Sequence, residues 1–165
     1  METGKLGINL IKEFESLHDG DLSVIGLQPK MCPAGVWTEG WGHAIRDDKG
    51  KFIKGKENKA LAYKFSKIKT KEQADKLLLK DLDSREYSVM QKIKVDLNQN
   101  QFDALVSYQY NTGGSSTLYK LINSNASKKD IQNWFETKYI TGDGKVLPGL
   151  VRRRKAECKL FFTPV

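Results

Sequence analysis

The chain has 165 residues, of which 39% are hydrophobic and 29% charged, so it falls in the size range of one soluble domain with a sizeable core. This composition excludes a largely disordered chain, and a domain of this size needs neither disulfides nor a metal to stay folded. The two cysteines, Cys32 and Cys158, make no disulfide framework, and we expect free thiols.

The net charge is +8, and the excess of positive charge lies in one part of the chain. Residues 1–60 hold nine basic and nine acidic residues, whereas residues 61–165 hold nineteen basic and eleven acidic ones. A basic segment beside a neutral one favours an anionic polymer as partner, such as nucleic acid, an anionic lipid surface or a bacterial wall polymer. Lysines on solvated helix faces explain the same charge, so charge alone does not choose among these interpretations.

The first predicted element is an amphipathic helix over residues 7–17. Its apolar residues Ile8, Ile11, Phe14 and Leu17 follow one another at spacings of three, as on one face of a helix. The same stretch contains several charged side chains, which excludes a membrane span or the apolar core of a signal peptide. We therefore expect no stable membrane insertion.

A glycine-rich segment follows, because nine of the fourteen glycines lie within the first 55 residues. Short apolar runs at 35–38 and 51–54 predict strands, and residues 47–50 predict the turn between them. The pattern becomes helical after residue 60. Thr70 and Gln73 form a capping box that opens a long helix over 70–93.

The remaining chain predicts shorter helices and one loop. The helices are expected at 99–110, 116–122, 128–135 and 150–161, and residues 141–144 suit a loop or hairpin tip. A small sheet followed by a helical region indicates an α+β fold.

Glu15 is the first candidate for chemistry, since it stands near the end of the first helix and just ahead of the glycine-rich segment. A carboxyl at such a half-apolar edge can hold a proton and donate it to a leaving oxygen. A capping or surface glutamate is the simpler interpretation of the same position.

Several short motifs occur in a fixed order over most of the chain. They are IKEFE at 11–15, Cys32 with five residues before Thr38, TEGWGH at 38–43, DALVSY at 103–108 with Asn111 and Gly113, STL at 116–118, Trp134, and GKVLPGLVRRR at 144–154. In this order the motifs resemble those of the phage-type lysozymes, the endolysin family of muramidases.

The resemblance implies a lysozyme-like single domain. A small N-terminal lobe with a short antiparallel sheet would cover 1–69, and a larger helical C-terminal lobe would cover 94–165, joined by the long helix 70–93. The implied activity is hydrolysis of the β-1,4 bond between N-acetylmuramic acid and N-acetylglucosamine in peptidoglycan, with the glycan strand between the lobes. No cofactor or metal is implied.

The family's catalytic set falls on Glu15, Cys32 and Thr38. Glu15 would protonate the leaving oxygen, and the Thr38 hydroxyl would hold the attacking water on the opposite face of the sugar. Cys32 takes a place often filled by an aspartate, and its role stays open. Sixteen residues separate Glu15 from Cys32, which is longer than the family pattern. The extra length makes Asp19 and Asp21 competitors for the second acid, although both also suit turns.

Further roles follow from the same resemblance. Substrate contacts are expected at Trp41, Tyr108, Asn111 and Ser116, and a structural pair is expected between His43 and Asp81. Trp37 and Trp134 suit sugar stacking or core packing. One of the three arginines at 152–154 could lie near Glu15, or all three could be solvated.

Two other classes of protein remain open. Cys32 and His43 could be the nucleophile and base of a peptidoglycan amidase, and the basic half of the chain could form a non-catalytic binding module for wall polymer or nucleic acid. The sequence contains no recognisable motif of either class. The resemblance favours peptidoglycan over nucleic acid as partner, and a monomer. It also implies residence in the cytoplasm of the producing cell, with no signal peptide, until a holin gives access to the wall.

Overall fold

The computed structural model describes all 165 residues and has seven α-helices and two small antiparallel sheets, so the predicted α+β class is confirmed. The helices are α1 (Lys5–Glu15), α2 (Lys59–Phe65), α3 (Lys71–Lys92), α4 (Gln99–Thr112), α5 (Ser116–Asn123), α6 (Lys128–Thr137) and α7 (Pro148–Phe161). The strands are β1 (Lys30–Met31), β2 (Trp37–Glu39), β3 (His43–Ala44), β4 (Thr141–Gly142) and β5 (Lys145–Val146).

The chain folds as two compact units. The helical unit comprises Met1–Phe14 and Leu82–Val165, and the sheet unit comprises Glu15–Asp81. This division differs from the expected lobe over residues 1–69, because the first fourteen residues belong to the helical unit. The buried carboxylate of Asp103 in α4 explains the difference, since it accepts the backbone N–H groups of Gly4 (2.8 Å) and Gly7 (2.9 Å) at the start of α1.

The sheet unit is built on β2, which is central in a three-stranded antiparallel sheet of order β1-β2-β3. Thr38 in β2 is paired with Lys30 on one side and Ala44 on the other. The buried core beneath the sheet consists of Trp37, Ile45, Ile53 and Ala62. The predicted strand at 51–54 is wrong as a strand, because these residues form only two isolated bridges, Val36 to Lys54 and Arg46 to Phe52.

A buried carboxylate joins β2 to the chain after α2. Glu39 is 4% exposed, and its Oε2 accepts hydrogen bonds from Ser66 Oγ (2.7 Å) and the backbone N–H groups of Lys67 (2.9 Å) and Ile68 (3.1 Å). One acceptor atom therefore satisfies three donors and holds the end of β2.

Hydrogen bonds near both ends hold the long segment between α1 and β1 in place. Asp19 Oδ1 accepts from the backbone N–H groups of Asp21 (3.2 Å) and Gln28 (3.3 Å), and the N–H of Leu27 donates to the Lys69 carbonyl at 2.8 Å. Asp21 accepts from Ser23, and these hydrogen bonds lower the pKa of the Asp21 carboxyl. Both aspartates therefore serve as turn residues in this structure.

The predicted helices occur close to their expected positions. The Thr70 hydroxyl accepts the Gln73 N–H at 3.2 Å and α3 begins at the next residue, as the capping box predicts. A second capping box, Asn98 with Gln101, opens α4, and Gly113 ends it in the left-handed conformation. In the helical unit α4 packs against α7, which also packs against α6. No helix combines the length and apolar character needed to cross a membrane.

Candidate active site

Glu15 is the last residue of α1, and Ser16 ends the helix with a left-handed φ of 61°. The carboxyl is half-buried, and its Oε2 faces the backbone of Gly42 so closely that a Cβ at residue 42 would lie 2.8 Å away. Gly42 itself has a φ of +89°. The backbone after β2 therefore defines one side of the Glu15 carboxyl, and only glycine suits that position.

Glu15 opens into a cavity of about 510 Å³ within the sheet unit. Its walls consist of Glu15, His18, Lys30, Met31, Cys32, Pro33, Val36, Thr38, Gly42, Ala44 and Phe52. The cavity thus brings together all three members of the expected catalytic set, with a few polar groups on a largely apolar wall, as in many ligand sites. His43 is not among the lining residues.

Thr38 presents a buried hydroxyl to this cavity. The residue is 5% exposed, and its Oγ1 donates to the Lys30 carbonyl at 2.8 Å. The ring nitrogen Nδ1 of His18 lies 2.6 Å from the same oxygen. The central position of β2, flanked by β1, places the hydroxyl where both partners reach it.

His18 is a site residue that the sequence did not single out. Its ring is half-buried, and burial lowers the pKa of the imidazole below the ordinary value of 6.5. A hydrogen bond to the Glu15 backbone carbonyl and the negative charge of Glu15 raise the pKa of His18. The positive charge of Lys30 lowers it, as burial does. The position of His18 three residues after Glu15 is the one feature of the sequence that points to a role in the site. A single histidine in an irregular segment belongs to no motif, so this feature alone does not predict one.

Cys32 stands at the start of a tight turn between β1 and β2. Its N–H donates to the Val36 carbonyl and its own carbonyl accepts from the Gly35 N–H, both at 2.8 Å. The thiol is half-buried, and both Cys32 and Cys158 are free. The Cys158 thiol is buried in α7, and burial raises its pKa to about 11.

Two polar contacts connect the sheet to α3 within the sheet unit. His43 Nδ1 lies 2.8 Å from Asp81 Oδ2, and the indole N–H of Trp41 donates to Asp75 Oδ1 at 2.7 Å. Trp41 and His43 flank Gly42 in the chain, so the two contacts attach the backbone on both sides of Gly42 to α3.

The expected aromatic sugar contacts divide between core and surface. Tyr108 is fully buried against Phe135 and Tyr139, so its ring has no face left for a sugar, and the expectation for Tyr108 is not met. Burial also raises the pKa of its hydroxyl to about 12. Trp37 is 7% exposed and belongs to the core, with its N–H donated to the Gly55 carbonyl at 2.7 Å.

The other expected substrate residues are accessible to different degrees. Trp41 and Trp134 are half-buried, whereas Asn111 and Ser116 are exposed. Asn111 lies in the last turn of α4, and Ser116 is the first residue of α5 in the helical unit. Both present polar side chains without an intramolecular role that fixes them.

The arginines at 152–154 differ in burial. Arg152 is exposed, whereas Arg153 and Arg154 are buried around the carboxylate of Glu157, with Nε to oxygen distances of 3.1 and 2.8 Å. The hydroxyl of Ser107 donates to Glu157 at 2.8 Å. Burial raises the pKa of Glu157, and the two guanidinium groups act in the opposite direction. Of the two alternatives left open by the sequence, that of three solvated arginines is therefore wrong.

A larger depression, about 740 Å³, lies along α6, but its walls are Lys128, Lys129, Asp130, Gln132, Asn133 and Glu136 of that one helix. It is a groove of solvated side chains and contains none of the expected catalytic residues. No group of three or more histidine, cysteine or acidic side chains in the chain could hold a metal ion.

Comparison with known proteins gives consistent matches. The family model described as phage lysozyme matches residues 22–157, a range that begins after Glu15. An endolysin of Acyrthosiphon pisum secondary endosymbiont phage 1 is 32% identical, with 98% of each chain covered. An endolysin of Bacillus phage B103 is 33% identical over 99% of this chain, which spans only 55% of that relative.

Solved structures agree with the sequence matches. The endolysin of Escherichia coli O157:H7 phage FAHEc1 has a TM-score of 0.73 at 31% identity, covering 98% of this chain and 94% of its own. The muramidase domain of SpmX from Asticaccaulis excentricus has a TM-score of 0.70 at 26% identity, covering 99% of both chains. With most of its length matched by the family model and by whole-length relatives, the chain belongs to the phage lysozyme family.

Proposed function

We propose that this protein is an endolysin muramidase that hydrolyses the β-1,4 bond between N-acetylmuramic acid and N-acetylglucosamine in bacterial peptidoglycan. The observation that carries the proposal is the single cavity of about 510 Å³ lined by Glu15, Cys32 and Thr38. Membership of the phage lysozyme family, with endolysins among its relatives, supports the wall glycan as substrate.

Each residue has a role that its chemistry supports. The Glu15 carboxyl is the general acid that protonates the departing glycosidic oxygen. The Thr38 hydroxyl holds the attacking water by a hydrogen bond, since it remains able to accept one after donating to the Lys30 carbonyl. Gly42 lets the backbone approach Glu15 and so fixes the carboxyl beside the cavity.

Cys32 lines the same cavity from the turn before β2. We assign it the position opposite the acid, where it stabilises the cationic sugar or the water that attacks it. An aspartate there supplies a full negative charge for the same purpose, so Cys32→Asp is expected to retain activity, whereas Cys32→Ala loses part of it. An equal and complete loss in both variants would contradict this role.

The wider biological setting is proposed from the same relatives, which are phage endolysins. The protein acts on the cell wall as a monomer, after a holin has opened the membrane of the producing cell. The basic excess of residues 61–165 favours attraction to a wall whose peptide carboxylates are anionic.

The experiment that tests the function compares Glu15→Gln with Glu13→Gln on purified peptidoglycan. Glu13 lies in the same helix and is exposed, so the control removes one carboxylate from α1 without touching the cavity. Loss of the general acid is expected to lower the release of reducing ends by at least about a hundredfold, and Glu13→Gln is expected to match the parent.

Two results would contradict the proposal. One is a Glu15→Gln variant that releases reducing ends at the parental rate while folded. The other is a parent that solubilises the wall without new reducing ends, with activity that depends on Cys32 and His43. That second outcome would indicate amide cleavage instead.

A further inference from the structure

We propose that His18 is a positioning residue for the reaction, which fixes the orientation of the Thr38 hydroxyl and thereby of the attacking water. The inference rests on the proposed function, since it assigns His18 to the same site. His18 belongs to the long segment between α1 and β1 in which this chain departs from the expected spacing.

The Thr38 hydroxyl carries a single proton and can donate only one hydrogen bond. The Lys30 carbonyl oxygen lies 2.8 Å from Oγ1 and can only accept, so the hydroxyl proton is donated to Lys30. His18 Nδ1 lies 2.6 Å from the same Oγ1 and therefore must supply the proton of the second hydrogen bond. The neighbours thus select the tautomer of His18 in which Nδ1 carries the hydrogen.

These two hydrogen bonds leave Thr38 Oγ1 with one free lone pair. A water in the cavity can then bind Thr38 only by donating a hydrogen to it. Such a water keeps the lone pairs of its own oxygen available for attack on the anomeric carbon. Without His18 the hydroxyl keeps two acceptor sites, and the water is no longer confined to one orientation.

Burial and charge around His18 favour a neutral ring as this donor. The charged groups that act on it are Glu15 at the end of α1 and Lys30 in β1, and Cys32 lines the same cavity. Burial outweighs the attraction of Glu15 and lowers the pKa of His18, so the ring is neutral near neutral pH.

The kinetic test compares His18→Leu with His18→Asn on soluble peptidoglycan strands. Leucine fills the space without a donor, whereas the asparagine amide can donate from near the place of Nδ1. One neutral hydrogen bond predicts a kcat between about twofold and tenfold lower for His18→Leu, with KM unchanged, and recovery in His18→Asn. Equal kcat for the parent and a folded His18→Leu would overturn the proposal.

A double-mutant cycle with Thr38→Val separates positioning from a general structural effect. If His18 acts through the hydroxyl, His18→Leu causes no further loss once that hydroxyl is gone. A loss of the same factor in both backgrounds would overturn the assignment, because it would show that His18 acts independently of Thr38.

The tautomer can be measured without any activity. The chain has two histidines, so the ring ¹⁵N signals of His18 are assigned by comparison with His43→Asn. We expect a protonated Nδ1 and an unprotonated Nε2 at neutral pH, and the opposite tautomer would overturn the proposal. If His18→Leu does not fold, this measurement and His18→Asn still decide the question. A parent that cleaves no glycan would instead refute the proposed function and leave the tautomer result standing.

Discussion

Gly42 is the residue whose replacement most directly probes the Glu15 carboxyl. An alanine there must adopt a φ of +89° and would bring its Cβ to 2.8 Å from Oε2. We expect Gly42→Ala to lose about 1–2 kcal/mol of stability from the left-handed backbone. Displacement of the acid should lower glycan hydrolysis by up to about a hundredfold.

Gly50→Ala is the matched control for this substitution. Gly50 has a φ of +76°, but a Cβ there meets nothing within 4 Å. The control therefore shares the backbone strain and lacks the contact with Glu15. Thermal unfolding should shift similarly in both variants, and only Gly42→Ala should lose activity. Parental activity in Gly42→Ala would mean that the close approach to Glu15 does not matter.

His18 gives the fold a pH dependence whose sign follows from burial. Its pKa is lowered in the folded state, so protonation is less favourable there than in the unfolded chain, whose value is near 6.5. The stability from the neutral ring is present above that value and is lost as the pH falls through the folded pKa. Relative to His18→Asn, the parent should therefore lose unfolding free energy in acid, measured by denaturant titration between about pH 5 and 8. Parallel pH curves for the two proteins would refute this expectation.

Single site residues can be predicted from the sequence where they belong to a motif, and are missed where they do not. Glu15, Cys32 and Thr38 are site predictions because they stand in motifs whose order resembles that of a family, although the spacing from Glu15 to Cys32 is longer than in its pattern. His18 is not predicted, because its function depends on Thr38, a residue twenty positions away with which no local pattern connects it. Tyr108 lies within a matching motif, yet its ring packs in the core, so a motif alone does not separate substrate contact from packing.

Among the elements, α7 carries a buried ionic cluster that its sequence pattern does not predict. The run of basic residues suggests a solvated face, but Glu157 is fully buried between Arg153 and Arg154. Glu157→Gln would leave two buried guanidinium groups without their counter-charge and is expected to lower the unfolding free energy by about 3–5 kcal/mol. Arg152→Gln is the control, because Arg152 is exposed in the same helix. Equal denaturation midpoints for both variants would contradict the importance of this cluster.

The elements also differ in how well they can be predicted. The helices α3 to α7 have caps or clear apolar periodicity, and their ends fall close to the predicted ones. By contrast, β1 and β3 have two residues each and α2 has seven, so their patterns are too short for a periodic signal. The strand expected at 51–54 has an apolar run, but its backbone makes only isolated bridges.

For the whole molecule, the order of motifs predicts family and fold class, while the grouping of segments depends on contacts between distant residues. The N-terminal residues join the helical unit because Asp103 accepts their N–H groups across almost a hundred positions. A local pattern contains no information about such a partner. The sheet unit nevertheless holds Glu15, Cys32 and Thr38 around one cavity, which is the arrangement the proposed chemistry requires.

The most direct test of the account identifies the bond that is cut. Purified peptidoglycan is digested with the parent and with Glu15→Gln, the products are reduced with borohydride, and the new chain ends are identified by mass spectrometry. We predict that the parent produces reduced muramic acid ends and that Glu15→Gln produces almost none. Reduced glucosamine ends, or freed peptide amines without new sugar ends, would contradict the account.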